Sequence, residues 1–498
     1  MGLLALYMKI QSTLTALVTL IAFIALCLFC ACKKHSAGNN GNGGGNQSYY
    51  KDIIINEKLE SGNAAPWQNA LGYFQLKSDP TTQIMVASRG TQEYYDGSGF
   101  RMASINKVNG TVNWVKSYDL PDEYTIQFVS CAAIDNNDNI WIGGHSYAGT
   151  GVAGILFLAE LDKSGNMIWS GSLSNYQGWR SYSLAALSNG DIALFAKSGS
   201  AFVVLRLTAN QQLVWSTIVD NIYPNIDDDF YTNNHTISAS PENHGLVETD
   251  DGSIYVAASG NTTSFGIDRL YRLDASGKVQ FAKMYRQAFS GATHPVQLIK
   301  AGTNNLLMAD QFFASGYVFP SPTFNLLSLD GEVQVSKAYP LNQSPVGIGI
   351  NEMNYYQGNI YFSSCGDFAF NTYVLDMNLN LKSAIETVAD TAATTDRGGI
   401  SLFDSAQNSL YYVCNFGGGS TSESNGFELL RNGPTGKPCD TTNAGDALPL
   451  LLDNTQINVT SDTAAMNNVV SGPTPVFTPL NWRSYVVTVT ATENICGK

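Results

Sequence analysis

The sequence predicts an all-β protein whose body is a seven-bladed β-propeller of four-stranded blades. Two repeating units and a lone N-terminal strand lead to this prediction. The first unit is a polar turn followed by a short apolar strand, and it recurs at intervals of 50 to 62 residues. Short β-branched runs bounded by Gly, Asn and Asp predict strands rather than helices. The strands of this unit begin near Ile84, Ile140, Ile192, Ile254, Leu306, Ile360 and Leu410.

The second unit is a strand, a turn and another strand, and it follows each copy of the first unit. Together the two units supply four strands, A to D, which is typical of a propeller blade. The seventh copy lacks strand D, and we expect the lone strand at residues 52–59 to complete that blade and remove its open edge. The propeller is assigned to residues 51–438. Alternating segments at 455–460 and 485–490 predict that residues 439–498 form a small C-terminal β-hairpin extension.

The N-terminus has the features of an export signal. A short basic segment precedes an apolar run from Leu14 to Phe29, which predicts a signal peptide over residues 1–32. Ala31 precedes Cys32 in a pattern that resembles a bacterial lipobox, so Cys32 is the predicted lipidation site; an uncleaved transmembrane anchor is the alternative. Residues 33–50 are rich in Gly and Asn and predict a flexible tether. The expected location is therefore the cell envelope, with the membrane contacted through an N-terminal lipid.

Charge and cysteine content narrow the possible partners. The formal net charge is −14, which argues against nucleic acid, because binding to phosphates requires basic patches. The body has no CxxC pair, so a zinc knuckle is not expected. Cys439 and Cys496 bracket the C-terminal segment, and we predict a disulfide between them because an exported chain is oxidised. The pairing of Cys131, Cys365 and Cys414 stays open.

Loop lengths indicate which face of the propeller binds a ligand. The A–B and C–D turns are short, whereas the B–C and D–A connections are long and open on the other face, where loops on a rigid scaffold can carry function. Aromatic side chains beside polar groups in these connections would suit a glycan or a protein. The candidate ligand-binding residues are Trp67, Tyr124, Trp179, Arg180, Tyr231, His235, Arg286, Phe289 and His294. The four histidines of the body, His145, His235, His244 and His294, are all assigned to these connections.

Two motifs could carry metal ions or catalysis. Asp227, Asp228 and Asp229, with His235, could hold a metal such as calcium, although three adjacent acids are more often a solvated loop. The run from Asp135 to Asn139 is interpreted as a hairpin turn. The segment around Ser146 resembles a hydrolase nucleophile elbow, but it aligns with strand B of the other repeats, and an elbow needs a helix after the turn. No cofactor and no catalytic residue are predicted.

One repeat resembles a known family. The segment from Leu161 to Trp169, and the spacing of Ser104, Asn106, Gly110 and Trp114, resemble the tryptophan-bearing repeat of bacterial secreted propellers. That group includes quinoprotein-like propellers and repeat lipoproteins, and the resemblance covers roughly residues 50–438. Phe281 and Val335 replace the tryptophan in later repeats. The adjacent cysteines usual in quinone-dependent members are missing, so the resemblance implies architecture without a quinone site.

These observations favour a cell-envelope lipoprotein that acts as a non-enzymatic binding or scaffold propeller, with a glycan or protein bound on the long-loop face. The alternative is an envelope enzyme with its site at the channel mouth, either acting on glycans or working as a quinoprotein-like oxidoreductase. A purely structural role in an outer-membrane assembly is a third reading, based on analogy of fold alone.

Overall fold

A computed structural model gives the architecture of the chain. It describes residues 49–55, 67–89, 99–119, 126–147, 154–198, 201–220, 245–261, 266–287, 297–312, 321–339, 352–365, 369–388, 399–404, 409–416, 425–432, 448–449, 455–456, 459–463, 469–487 and 489–491. Within these residues the strands form seven sheets, each of five strands. All the sheets lie in one compact unit, residues 43–497.

Four strands of each sheet, A to D, follow the predicted repeat from the inside of the molecule outwards. The A strands are β2 (Trp67–Gln75), β6 (Ile126–Ile134), β10 (Arg180–Ala186), β14 (Leu246–Glu248), β18 (Gln297–Lys300), β22 (Glu352–Tyr356) and β26 (Gly399–Asp404). The B strands are β3 (Thr82–Arg89), β7 (Ile140–Tyr147), β11 (Ile192–Ser198), β15 (Ile254–Asn261), β19 (Asn305–Phe312), β23 (Asn359–Cys365) and β27 (Ser409–Phe416).

The two outer strands of each repeat complete the set. The C strands are β4 (Gly99–Asn106), β8 (Ile155–Leu161), β12 (Ala201–Leu207), β16 (Gly266–Leu273), β20 (Ser321–Ser328), β24 (Ala369–Asp376) and β28 (Asn425–Asn432). The D strands are β5 (Thr111–Asp119), β9 (Met167–Leu173), β13 (Leu213–Asp220), β17 (Val279–Gln287), β21 (Val333–Ala338), β25 (Leu381–Val388) and, from the N-terminus, β1 (Tyr49–Ile55). Blades are numbered below by their A strands in chain order, from β2 in blade 1 to β26 in blade 7.

The A strands close a ring. β2 contacts β6, and the contacts continue through β10, β14, β18 and β22 to β26, which contacts β2 again. Six sheets take strands A to D from one continuous stretch of chain, whereas the seventh combines β26, β27 and β28 with β1. The ladder of β1 with β28 runs from Tyr49 opposite Arg431 to Ile55 opposite Asn425. The N-terminal strand therefore closes the ring with residues 49–55, as predicted for the lone strand, and residues 56–59 of the predicted range lie outside the described residues.

The C-terminal segment corrects the expected fold class. It contains β29 (Leu448–Pro449), β30 (Thr455–Gln456), β31 (Val459–Thr463), β32 (Val469–Ser471), β33 (Phe477–Pro479), β34 (Arg483–Val486) and β35 (Val489–Ala491). Each of these strands pairs with the D strand of a different sheet. The prediction of four-stranded blades with a separate C-terminal hairpin is therefore wrong. The alternating segments satisfy the open edges of existing sheets, whereas an isolated hairpin is only marginally stable.

We call β29–β35 the belt. Its strands join blades 6, 5, 4, 3, 2 and 1 in that order, and the last strand, β35, joins blade 7. The belt thus makes one circuit around the ring, opposite to the direction in which the blades follow each other. In blade 7 it pairs Ile55 with Val489 and Ile53 with Ala491. β1 consequently lies between β28 and β35 and is not an edge strand.

Apolar side chains fill the spaces between adjacent blades. Phe100 of blade 1 and Phe157 of blade 2 are fully buried in one such cluster. Trp482 of the belt packs edge-on against both rings, with centroids 5.2 Å and 5.6 Å away. Aromatic pairs in this geometry add stabilisation beyond the area that they bury. The belt therefore contributes to the interior between the blades as well as to their edges.

A repeated contact fastens several of the described D strands to the C–D turn of the next blade. Tyr118 donates a hydrogen bond to the carbonyl of Gly165 at 2.5 Å, and Tyr285 donates to that of Gly331 at 2.8 Å. Gly277 has a left-handed backbone with a φ of +83°, and a Cβ there would lie 2.5 Å from the ring of Trp215. Phe281 stands over Gly331 in the same way, at 3.3 Å. Phenylalanine thus takes the position of the tryptophan in blade 4.

A buried ion pair links the first and last blades. The Nζ of Lys107, in the C–D turn of blade 1, lies 2.5 Å from a carboxylate oxygen of Asp404, at the end of β26. The two side chains are only 4% and 6% exposed. Arg431 lies over the ring of Tyr411 at 5.5 Å in the same part of blade 7. Charged groups are therefore part of the interface at which the ring closes.

Candidate functional site

The strand directions define two ends of the ring. Short turns join A to B and C to D at one end, which we call the tight-turn end. At the A–B turn of blade 2, the carboxylate of Asp135 accepts hydrogen bonds from the backbone N–H groups of Asn137 and Asn139 at 2.8 Å and 2.9 Å. This confirms the interpretation of that run as a hairpin turn. The B–C and D–A connections start from the opposite end, which we call the long-loop end.

Most of the predicted site residues lie outside the described part of the chain. Those outside the described residues are Tyr124, Asp227, Asp228, Asp229, Tyr231, His235, His244, Phe289 and His294, together with Cys32, Cys439 and Cys496. Trp67 begins β2, and Arg286 lies in β17 opposite Thr460 of the belt. Within the described residues no helix is long and apolar enough to cross a membrane, and no three His, Cys, Asp or Glu side chains come together as metal ligands.

Trp179 and Arg180 lie together at the long-loop end, in the D–A connection between blades 2 and 3. This connection contains a short 3-10 helix, η1 (Ser174–Tyr176), and then turns at Gly178, which has a φ of +78°. The half-buried ring of Trp179 meets that of Tyr176 edge-on, with centroids 5.9 Å apart. The Tyr176 hydroxyl donates to the carbonyl of Pro473 in the belt at 2.7 Å. The belt therefore supports the loop that presents Trp179.

Two cations face each other beside this tryptophan. Arg180, the first residue of β10, lies directly opposite Lys197 of β11, and both are half-buried. The Nζ of Lys197 lies 5.2 Å above the ring of Tyr182. Like charges directly opposite in a ladder destabilise it. The tyrosine ring offsets part of this cost, because it stabilises the lysine through a cation–π contact.

His145 is not in a loop, which corrects the sequence assignment. It lies within β7, opposite Leu156 of β8, and is 8% exposed. Burial, and then the nearby Arg180, lowers the pKa of His145 to about 3. The imidazole is therefore neutral at physiological pH, because desolvation disfavours its charged form. Strand B of blade 2 continues to Tyr147, so His145 lies inside the sheet rather than in the B–C connection.

Ser146 follows in the same strand. It is 1% exposed and pairs with Gln127 of β6 and Ile155 of β8. A nucleophile elbow presents its serine on a strained turn, so the hydrolase interpretation is excluded here. Cys131 lies buried in β6, in the cluster between blades 2 and 3. Cys365 ends β23, and Cys414 lies in β27 opposite Gly399.

A cavity at the tight-turn end was missed by the sequence analysis. It has a volume of about 710 Å³ and lies between blades 5 and 6. Its lining residues are Lys300, Ala301, Gly302, Thr303, Asn304, Asn305, Tyr355, Gln357 and Met377. The only local sign of this cavity in the sequence is an aromatic residue directly before a tight turn, at Tyr355–Gly358. The facing wall comes from the A–B turn of the preceding repeat, so the cavity forms only when the two blades pack together.

Comparisons with known proteins give only distant likenesses. No protein-family model matches the sequence, and no curated protein matches it. Among solved structures, the β-propeller domain of the Trilobed protease from Pyrococcus furiosus has a TM-score of 0.40 at 10% identity, covering 74% of this chain and 94% of that one. A Bacteroides caccae protein of unknown function has a TM-score of 0.36 at 12% identity, with 60% and 93% covered. An alpha-L-arabinanase from Penicillium chrysogenum has a TM-score of 0.40 at 11% sequence identity, and the match covers 78% of this chain and 99% of that one. The propeller architecture of this chain rests on its own strand pairing.

Proposed function

We propose that the protein is a non-enzymatic binding propeller of the cell envelope, attached through a lipid on Cys32, and that it binds an anionic glycan or an acidic protein segment at the long-loop end. The observation that supports this most is the cluster of Trp179, Arg180 and Lys197. A half-buried aromatic ring beside two cations suits a ligand that combines an apolar face with an acidic group.

The direction of β1 supports an orientation in which the long-loop end faces away from the membrane. Tyr49 pairs with Arg431, near the end of β28 at the tight-turn end, and Ile55 pairs with Asn425 at the long-loop end. Chain that precedes Tyr49 therefore starts from the tight-turn end. A Gly/Asn tether of about 16 residues has a root-mean-square length of roughly 22 Å. An N-terminal lipid would then leave the long-loop end pointing away from the membrane.

The binding test compares variants at the two ends of blade 3. The mature protein is used to capture ligands from a glycan array and from envelope extracts. Trp179→Ala and Arg180→Ala are expected to weaken capture about tenfold each, which corresponds to about 1.4 kcal/mol. Asn210→Ala, an exposed change in the tight C–D turn of the same blade, should leave capture intact. Unchanged capture by both long-loop variants would refute this site, and capture by the array or by the extract distinguishes glycan from protein.

The anchor is tested separately. Cys32→Ser should move the protein from the membrane fraction to the soluble fraction, and mass spectrometry of the wild-type N-terminus should show acyl chains. Anchoring needs more than one chain, because a single acyl chain gives only reversible binding. A Cys32→Ser protein that stays in the membrane fraction would instead support an uncleaved anchor.

A further inference from the structure

We infer that the tight-turn end carries a second binding site, in the cavity between blades 5 and 6, and that this site takes a segment of neutral oligosaccharide. The inference goes beyond the proposed function, because it concerns the opposite end of the ring and a ligand of different charge. It rests on the shape of the cavity, on the side chains that line it and on the ligand classes that those side chains disfavour.

Tight turns form the walls of the cavity. One wall is the A–B turn of blade 5, where the N–H of Ala301 donates to the carbonyl of Asn305 at 2.9 Å. The second is the A–B turn of blade 6, in which Gln357 and Gly358 have φ values of +46° and +78°. Two successive positive φ angles are typical of a type I′ hairpin turn. The third wall includes Met377, in the C–D turn of blade 6. The depression between these turns has a volume of about 710 Å³ and is open to solvent over much of its boundary.

Tyr355 gives the cavity an aromatic surface. It is half-buried and packs against the core cluster between blades 5 and 6. Gly302, with a φ of +81°, brings the backbone of the facing turn close, since a Cβ there would lie 3.4 Å from the Tyr355 hydroxyl oxygen. The ring is thus fixed by packing on one side and accessible to the cavity on the other. A rigid aromatic face beside polar groups is the usual platform for the apolar face of a sugar ring.

The polar groups of the cavity are amides and a hydroxyl. Thr303 and Asn304 are exposed, and within the described part of the chain their side chains make no hydrogen bond to the protein. Gln357 donates through Nε2 to the hydroxyl of Tyr356 at 2.8 Å, and its Oε1 remains an acceptor. Amide side chains offer donors and acceptors together. That combination matches the adjacent hydroxyl groups of a sugar, each of which both donates and accepts.

The same side chains disfavour other ligand classes. A calcium ion prefers carboxylate ligands, and the lining contains none. An anion would depend on Lys300, but its ammonium group is already bonded to the carboxylate of Asp250. A wholly apolar ligand would cover the exposed polar side chains of Thr303, Asn304 and Gln357 without giving them hydrogen-bond partners. A neutral polyhydroxyl ligand remains as the best match to the cavity.

The experiment titrates the mature full-length protein with neutral hexasaccharides of glucose, xylose and arabinose, with binding measured by calorimetry and by saturation-transfer NMR. At least one of these probes is expected to bind. Tyr355→Ala and Asn304→Ala should each weaken it about tenfold, whereas Tyr355→Phe, which keeps the ring, should stay within about twofold. Asn304 is an exposed turn residue, so its variant keeps the test decisive if Tyr355→Ala reduces folding. Asn210→Ala, in a tight turn of blade 3, is the matched control.

Three outcomes would overturn the inference. These are no binding of any neutral probe, binding that Asn304→Ala and Tyr355→Ala leave unchanged, and binding that is lost with Trp179→Ala instead. The last outcome would assign the sugar to the long-loop end. Because Trp179→Ala and Tyr355→Ala affect opposite ends of the ring, failure of this inference is distinguishable from failure of the proposed function.

Discussion

Removing one partner of the buried pair between Lys107 and Asp404 should destabilise the protein strongly. Asp404→Ala would leave the Lys107 ammonium group in a site where it is 4% exposed, and an uncompensated buried charge costs about 3–5 kcal/mol. At about 2.1 cal/mol/K per residue, a body of roughly 450 residues has an unfolding entropy near 0.9 kcal/mol/K. The expected fall in Tm is therefore about 3–5 °C, measured by calorimetry at pH 7.

A second inter-blade pair provides the matched control. Lys283 of blade 4 contacts Glu332 in the C–D turn of blade 5, but the Glu332 side chain is 68% exposed. Exposed pairs contribute about 0–1 kcal/mol, so Glu332→Ala should lower the Tm by about 1 °C or less. The double variant Lys107→Met with Asp404→Leu should regain most of the loss, because apolar replacement of a whole buried pair is often neutral. Equal effects of Asp404→Ala and Glu332→Ala would refute the argument from burial.

Three further predictions concern the belt, its ends and the interior. Deletion of residues 446–498 exposes the outer edges of the D strands, so the truncated protein should oligomerise or aggregate on size-exclusion chromatography, where the full-length protein should elute as a defined species. Cys439 and Cys496 should form a disulfide, visible as a cross-linked peptide under non-reducing mass spectrometry and absent after Cys439→Ser. The free energy of unfolding should fall from pH 7 to pH 4, because the pKa of His145 is about 3 in the folded protein and about 6.5 in the unfolded chain, which therefore takes up the proton first. This difference contributes about 3 kcal/mol over that range. In urea unfolding the wild type should therefore lose about 3 kcal/mol more than the His145→Phe variant between the two pH values.

The sequence predicts the repeating part of the fold because each repeat carries its own local signals. Turn residues such as Asp135 bond to the backbone of the next few residues, and a two-residue periodicity marks the strands on either side. These effects are local, so the sequence alone reveals the A–B and C–D hairpins. The closing role of the N-terminal strand can be predicted from the number of strands, because the seventh repeat lacks strand D and the N-terminal strand belongs to no repeat.

The site is harder to predict, since its residues meet only after the blades stack. Trp179 and Arg180 were found because they lie next to each other in a connection between repeats. Lys197 was missed, because its position opposite Arg180 depends on the register of β10 with β11. His145 was assigned to the long connections with the other three histidines of the body. The structure pairs Gly143, Gly144 and His145 with β8, and a Cβ on Gly143 would lie 2.5 Å from the Cys131 sulfur. Close packing of strands explains that glycine better than a turn does.

The belt explains why the number of strands in each blade was mispredicted although the four-stranded repeat was identified correctly. A two-residue strand such as β29 has no periodicity of its own, and it pairs with the edge of a D strand. The alternation at 455–460 does predict a strand around β30, but its pairing with β21 is long-range, so nothing local indicates the partner. Its consequence for the ends of the chain is specific. β1 is held by seven paired positions with β28 on one side and three with β35 on the other. A pull on the N-terminus would have to shear both ladders at once, so the belt strengthens the very strand from which a membrane tether would depart.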